Sequence, residues 1–328
     1  MVILDADAWG PQRPIVGTPT RRPGSIRRTS SITTARSAES PTMVMEAAAR
    51  DLRTTAAEAR VVAEARFTAT VASGTSELLE LTTPIDEPRL QDLVGTSIGR
   101  GFRGEVDAAL PELAGTRPPL YLLLDDLPGA SLVSGYGLLR SGEIAPIEPD
   151  AFLGRADLCA GWAGDGVMMQ AIRRTGRTPT PMGPPAGSLA REEDPLAWHE
   201  LGDLGPGAMR RIRRIDVAPG GSTGTYDVDA MFRDSHRGED GVETSLHEYA
   251  VAATVDAAGV VTAIEATAHV LPWTECPAAV GSAPRVVGHP VSELRRHVRE
   301  AFTGVSTCTH LNDTLRSLAD VDVLIADL

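Results

Sequence analysis

The sequence predicts an α+β fold, an antiparallel β-meander packed against helices and interrupted by a long Pro/Gly-rich excursion. Three observations carry that expectation. Between 211 and 271 short alternating runs are separated by turn segments, and the chain closes on two stretches with helical apolar spacing. Proline and glycine accumulate between about 141 and 207. The chain of 328 residues is 42% hydrophobic, ample for a packed core. The expected division is a flexible N-terminal tail over 1–25 and a single α+β domain over 26–328, with 141–207 as an irregular excursion.

Residues 1 to about 25 are rich in Pro, Gly, Thr and Arg without periodicity, which reads as a mobile tail. Runs from Ala65 to Ala72 and from Leu78 to Thr83 flank Ser73-Gly74-Thr75, a hairpin signal. Pro88 to Leu113 reads as helix broken by glycines. Leu120 to Arg140 reads as two short elements around a turn at Pro128-Gly129. The excursion is expected to hold a helix from Ala156 to Arg173. In the meander, pairing Val255 with Val260 puts His247, Tyr249, Val251 and Ala253 on one apolar face and His269 on the other. Helices over Pro290–Phe302 and Cys308–Ala319 close the chain. No internal repeat is evident.

All 31 basic residues are arginine. Without lysine there is no Schiff-base chemistry, no lysine-anchored pyridoxal phosphate and no P-loop lysine. Arginine keeps its proton, so proton transfer falls to Asp, Glu, His, Cys or Tyr. The net charge of −13 argues against a nucleic-acid partner. The arginine clusters at Arg27-Arg28 and Arg210–Arg214 read as salt-bridged surface. Three scattered cysteines do not make a disulfide framework, and no secretory leader or membrane-length apolar run is visible. The expectation is a cytoplasmic protein with a small-molecule substrate, no nucleic-acid or membrane partner, and compatibility with a homo-oligomer.

The candidate chemistry centres on Cys308-Thr309-His310 and Asp313. Ser306 and Thr307 are N-cap residues that place Cys308 in a first helical turn, where the dipole favours a thiolate; Cys308 fits equally a small buried hydrophobe. Cys276 and His247 are the other members of this set. Asp125, at the end of an apolar run, is a candidate general acid through desolvation. Cys159, Trp162, Tyr136, Met168 and Tyr249 are candidate pocket walls. His199, His236, His289 and His297 read as solvent-facing or capping. The reading that follows is a cofactor-free enzyme using acid–base or thiol-assisted chemistry on a small, largely apolar metabolite. A lyase or hydratase comes first and a hydrolase next. The alternatives are a non-catalytic zinc- or iron-binding protein using His247, Cys276, Cys308 and His310, or an interaction module. The metal set lacks paired Cys-x-x-Cys spacing.

The stretch from about 210 to 319 resembles the bacterial family DUF2889. The residues that carry the resemblance are His247-Glu248-Tyr249, Pro272-Trp273-Thr274-Glu275-Cys276-Pro277, Val286-Val287-Gly288 and Cys308-Thr309-His310-Leu311. Arg27-Arg28-Thr29-Ser30-Ser31-Ile32 is similar to the family's opening Arg-rich strand. Thr307 stands where the family has glycine. The resemblance implies that Cys276, Cys308, His310 and His247 belong together, and brings no reaction or cofactor.

Overall fold

The structure, a computed structural model, describes residues 2–36, 40–142 and 154–328. Eight strands form one antiparallel sheet: β1 (Ser25–Arg36), β2 (Thr42–Thr54), β3 (Ala59–Ala72), β4 (Leu78–Thr82), β5 (Met209–Pro219), β6 (Thr225–Arg237), β7 (Glu243–Asp256) and β8 (Val261–Val270). Their order is β4-β3-β2-β1-β5-β6-β7-β8. The front face carries α1 (Phe102–Ala109), α2 (Pro111–Thr116), α3 (Pro119–Ser141), α5 (Leu294–Ala301), α6 (Thr309–Ser317) and α7 (Val321–Ala326). The excursion contributes α4 (Val167–Thr175). The α+β expectation therefore holds, with four more strands than the meander alone supplies.

The sheet is two meanders joined at β1 and β5, each followed by helices. The β1–β5 register pairs Ser30 with Arg213, and on either side of that pair Arg28 faces Ile215 while Ile32 faces Arg211. This exchange of Arg and Ile marks a pseudo-twofold axis between Ser30 and Arg213. The relation extends outward, since Arg28 pairs with Asp51 on β2 and Arg211 with Asp234 on β6, each 23 residues on. The chain contains an internal structural repeat that its sequence does not display.

Strand alternation divides the work between faces. In β1, Ile26 and Ile32 enter the two main front-face cores, and Arg28 lies between them. In β7, His247 and Tyr249 face front while Glu248 faces back. There Arg233 donates to Glu248, and its Nη groups donate to the Gly187 and Ile15 carbonyls at 2.7 Å. That ion pair clasps the N-terminal segment, whose Ile15 amide donates back to Glu248. Arg21 pairs with Asp194, and Thr18 is buried under Trp198. Of the segment expected as a flexible tail, the part from Ile15 to Arg21 thus lies along the back of the sheet, held by arginine forks and backbone bonds. Pro11 to Arg13 bond to the end of β8, and Leu4 and Trp9 pack against the front-face core.

Other expectations also change. Leu120 to Arg140 is one helix that runs through Pro128, with Arg103 Nε donating to the Asp125 carbonyl in the turn before it. The helix expected over 156–173 divides into a 3-10 turn at Ala160–Trp162 and α4. Residues 143–153 of the excursion lie outside the described residues. The β7–β8 hairpin pairs Val251 with Ala266 and Ala253 with Ile264, two residues from the expected register, so the faces are kept. The arginine clusters are salt-bridged, but they are buried: Arg27, Arg28, Arg211, Arg213 and Arg214 are each under 5% exposed. His199 and His236 are buried too, not solvent-facing. His199 sits between the hydroxyls of Thr29 and Ser31, and burial lowers its pKa to about 4.

Candidate functional site

Three neighbouring strands set out a single row on the front face. Register places Arg211, Asp234 and His247 side by side on β5, β6 and β7. Arg213, Phe232 and Tyr249 form the next row. The start of α6 comes down over both, bringing Cys308 as its N-cap and His310 in its first turn.

The centre is Asp234, which is fully buried. Arg211 Nε and Nη2 donate to its two oxygens at 2.9 and 3.1 Å. His247 Nδ1 and His310 Nε2 lie 3.6 and 3.5 Å from its Oδ2. The two imidazoles stack, with centroids 3.6 Å apart and planes 14° from parallel. Their side chains keep 16% and 14% exposure, so the pair reaches solvent while its carboxylate does not. Burial alone would raise the Asp234 pKa, but Arg211, His247 and His310 hold it well below the usual carboxylate range. Burial, together with the charge His247 can carry, pushes His310 well below its ordinary value despite Asp234. At neutral pH His310 is an uncharged imidazole, a base.

On its other side His310 Nδ1 lies 3.7 Å from Cys308 Sγ. The dipole argument for a thiolate fails here, because burial raises the Cys308 pKa against the backbone N–H groups of Leu311 and His310. Cys308 is a neutral thiol. Behind it the buried Tyr249 hydroxyl meets the Cys308 thiol, and burial and that thiol raise its pKa. Cys159 and Cys276 complete an apolar thiol cluster. Burial and Cys308 push Cys159 up to about 12 and raise Cys276 well above its ordinary value. All three cysteines are free. Gly161 allows this approach, since a Cβ there would stand 2.7 Å from Cys276 Sγ.

Of the residues expected to form a pocket, Met168 and Tyr249 share the core that holds Cys308 and Cys276, and Trp162 packs against it. Cys159 is buried, which raises its pKa, and lies near enough to Cys308 for that thiol to add to the rise. Tyr136 belongs to a separate cluster with Val133, Met209 and Leu246; its hydroxyl donates to the Pro181 carbonyl and its ring meets His236 edge-on. Asp125 lies elsewhere. Arg316, Arg295 and Arg103 surround it, and although burial opposes ionisation they hold it well below the carboxylate range. The desolvated general acid expected from its position at the end of an apolar run is instead a permanently charged strut.

The residues the sequence reading missed are Asp234 and Arg211. Arg211 was assigned to the surface, and Asp234 is one of 44 acidic residues. Only the register that opposes it to both Arg211 and His247 singles it out. A second support is Gly129 on α3, where a Cβ would stand 1.9 Å from Arg211 Nη1. Arg211 Nη1 passes through that gap to Asp313 Oδ2 at 3.2 Å.

Asp234, His247 and His310 also present three donor atoms within 4.8 Å of one another. Their types suit zinc or iron. The ring stack opposes simultaneous ligation: imidazole lone pairs lie in the ring planes, and near-parallel planes 3.6 Å apart do not converge on one ion. Cys276 and Cys308 do not belong to this group.

The frame and site define an antiparallel-sheet protein with an internal dyad and an imidazole–carboxylate cluster in its second half. A family model described as "Protein of unknown function (DUF2889)" matches residues 209–324, β5 through α7, in agreement with the resemblance carried by the motifs. No curated protein and no solved structure matches the chain.

Proposed function

We propose that the protein is an enzyme that moves protons on a small, largely apolar metabolite, a lyase or hydratase first and a hydrolase next, without a bound cofactor. The observation that carries this reading is the partly exposed His247–His310 stack aimed at one buried, arginine-held carboxylate. His247, whose Nδ1 lies 3.6 Å from Asp234 Oδ2, has no described partner at Nε2 and would exchange the substrate proton there. Asp234 would stabilise the imidazolium that forms. His310, neutral and stacked on it, is the second proton-transfer group, and Cys308 beside it acts as a neutral acid rather than a nucleophile. Phe232 and Tyr249 supply the apolar surroundings that favour such a substrate.

The test is deuterium uptake from D2O into a panel of small unsaturated and hydroxylated carboxylic acids, followed by NMR. Wild type is expected to exchange a carbon-bound proton, and His247→Gln and His310→Gln to lose about 10²–10⁴-fold in rate while melting as wild type does. Undiminished exchange in either variant would sink the reading. The second reading, a zinc or iron site at Asp234, His247 and His310, rests on the proximity of their donor atoms. Elemental analysis of wild type beside Asp234→Asn decides it: one metal equivalent, lost in the variant, would replace proton transfer by metal chemistry.

A further inference from the structure

A cavity of about 180 Å³ opens between α1, α3 and α5; Asp125 lines it, and Asp234, His247 and His310 do not. Six arginines line it: Arg103, Arg117, Arg295, Arg296, Arg299 and Arg316. The acidic residues of the lining are two, and both are committed. Asp107 accepts a hydrogen bond from the Tyr121 hydroxyl and pairs with Arg299 Nη1 at 3.7 Å. Asp125 is shared three ways, by Arg316, by Arg295 Nη1 at 2.8 Å and by Arg103 Nε at 3.4 Å. The outer partners of these arginines, Asp313, Asp320, Asp322, Glu293 and Glu300, do not line the cavity.

Three of the arginines that line the cavity, Arg117, Arg295 and Arg316, each keep a buried Nε without an acceptor. A buried donor without a partner costs about 1–3 kcal/mol, so these three side chains gain by turning toward an acceptor held in the hollow. The Arg316 side chain is only 5% exposed. Burial lowers its pKa first of all, and Arg103 and Arg295 add to that against Asp125 and Asp313. The hollow has room for about six waters, enough for one tetrahedral oxyanion.

We propose that this cavity is a binding site, separate from the histidine cluster, for a small, multiply charged oxyanion of the phosphate type, either free or as the phosphoryl end of a larger molecule. Guanidinium forks match such oxygens, and no lysine exists in the chain to do so. The site stands independently of the proton-transfer reading.

Isothermal titration of the full chain with inorganic phosphate, at ionic strength fixed by sodium chloride, tests it. Arg299 and Arg296 are 46% and 58% exposed, so Arg299→Glu and Arg296→Glu reverse a charge at the rim with little risk to folding, which thermal unfolding verifies. Saturable one-site binding is expected in wild type, weakened about tenfold or more in each variant. A simple phosphomonoester that binds more tightly than phosphate assigns the site to a phosphorylated molecule; equal or weaker binding assigns it to the free ion. No saturable heat with wild type, unchanged affinity in both folded variants, or tighter binding of succinate than of phosphate overturns the proposal.

Discussion

At Ala63 the first half of the sheet has a methyl group where the second half has the imidazole of His247, although the rows in which they stand are built alike. Arg28–Asp51–Ala63 and Arg211–Asp234–His247 occupy equivalent strands across the pseudo-twofold axis. In both, an arginine fork grips a buried aspartate. Around Asp51 the next charged group is Asp320, which shares Arg28 at 2.9 Å. Burial raises the Asp51 pKa, Arg28 opposes it, and Asp320 adds to the rise. Around Asp234 the next groups are two imidazoles, and its pKa falls. The same ion pair is a structural tie in one half and the anchor of a reactive cluster in the other. What differs is only what the third strand and the following helix bring to it.

The largest expected effect falls on the tie. Arg28→Ala leaves Asp51 uncompensated inside the protein, while Asp320 keeps Arg295 at 2.7 Å, at a cost of about 3–5 kcal/mol in urea unfolding. Arg211→Ala should cost less: burial and His247 lower the His310 pKa, Arg211 adds to that, and its removal lets His310 take up a proton beside Asp234. If the Arg211 variant proves the less stable, the two rows do not play the roles assigned here.

A smaller effect distinguishes the halves by pH. His199 behind β1 and His236 on β6 are held neutral, each with its pKa lowered to about 4, by burial first and then by nearby arginines. A histidine depressed on folding stabilises the protein above its unfolded pKa and loses that contribution as pH falls through the folded value. Stability should therefore decline from about pH 6.5 toward pH 4, each of the two contributing up to about 3 kcal/mol. His199→Gln and His236→Gln should each flatten the decline by a comparable share; unaltered slopes would show that neither imidazole is neutral in the fold.

The smallest effect is a graft. Ala63 is partly exposed, so Ala63→His should change stability by no more than about 0.5 kcal/mol and create no second reactive cluster, since α3 offers no histidine to stack on it. Gain of proton-exchange activity by a His247→Gln, Ala63→His double variant would mean that the cluster needs less than the structure assigns to it.

These contrasts also mark what a sequence can disclose. The 211–271 meander was legible because apolar alternation and the Asp256–Gly259 turn act locally, and a register error of two residues leaves the faces intact. His247, Cys308 and His310 were legible as a group. Asp234 was not, because its meaning lies wholly in its neighbours across two strands. The repeat stayed hidden for a related reason: a few residues shared across a separation of 183 positions, Arg28 with Arg211 and Asp51 with Asp234, fall below any visible periodicity. Asp125 was misjudged because burial was weighed without the three arginines that distant segments deliver to it.

The dyad between Ser30 and Arg213 has a last consequence. A seam of this symmetry is what two identical subunits would share across an interface, and such a pair comes apart on dilution. Here both sides of the seam belong to one polypeptide, so the β1–β5 ladder holds at any concentration, and its unfolding midpoint carries no mass-action term from the two halves.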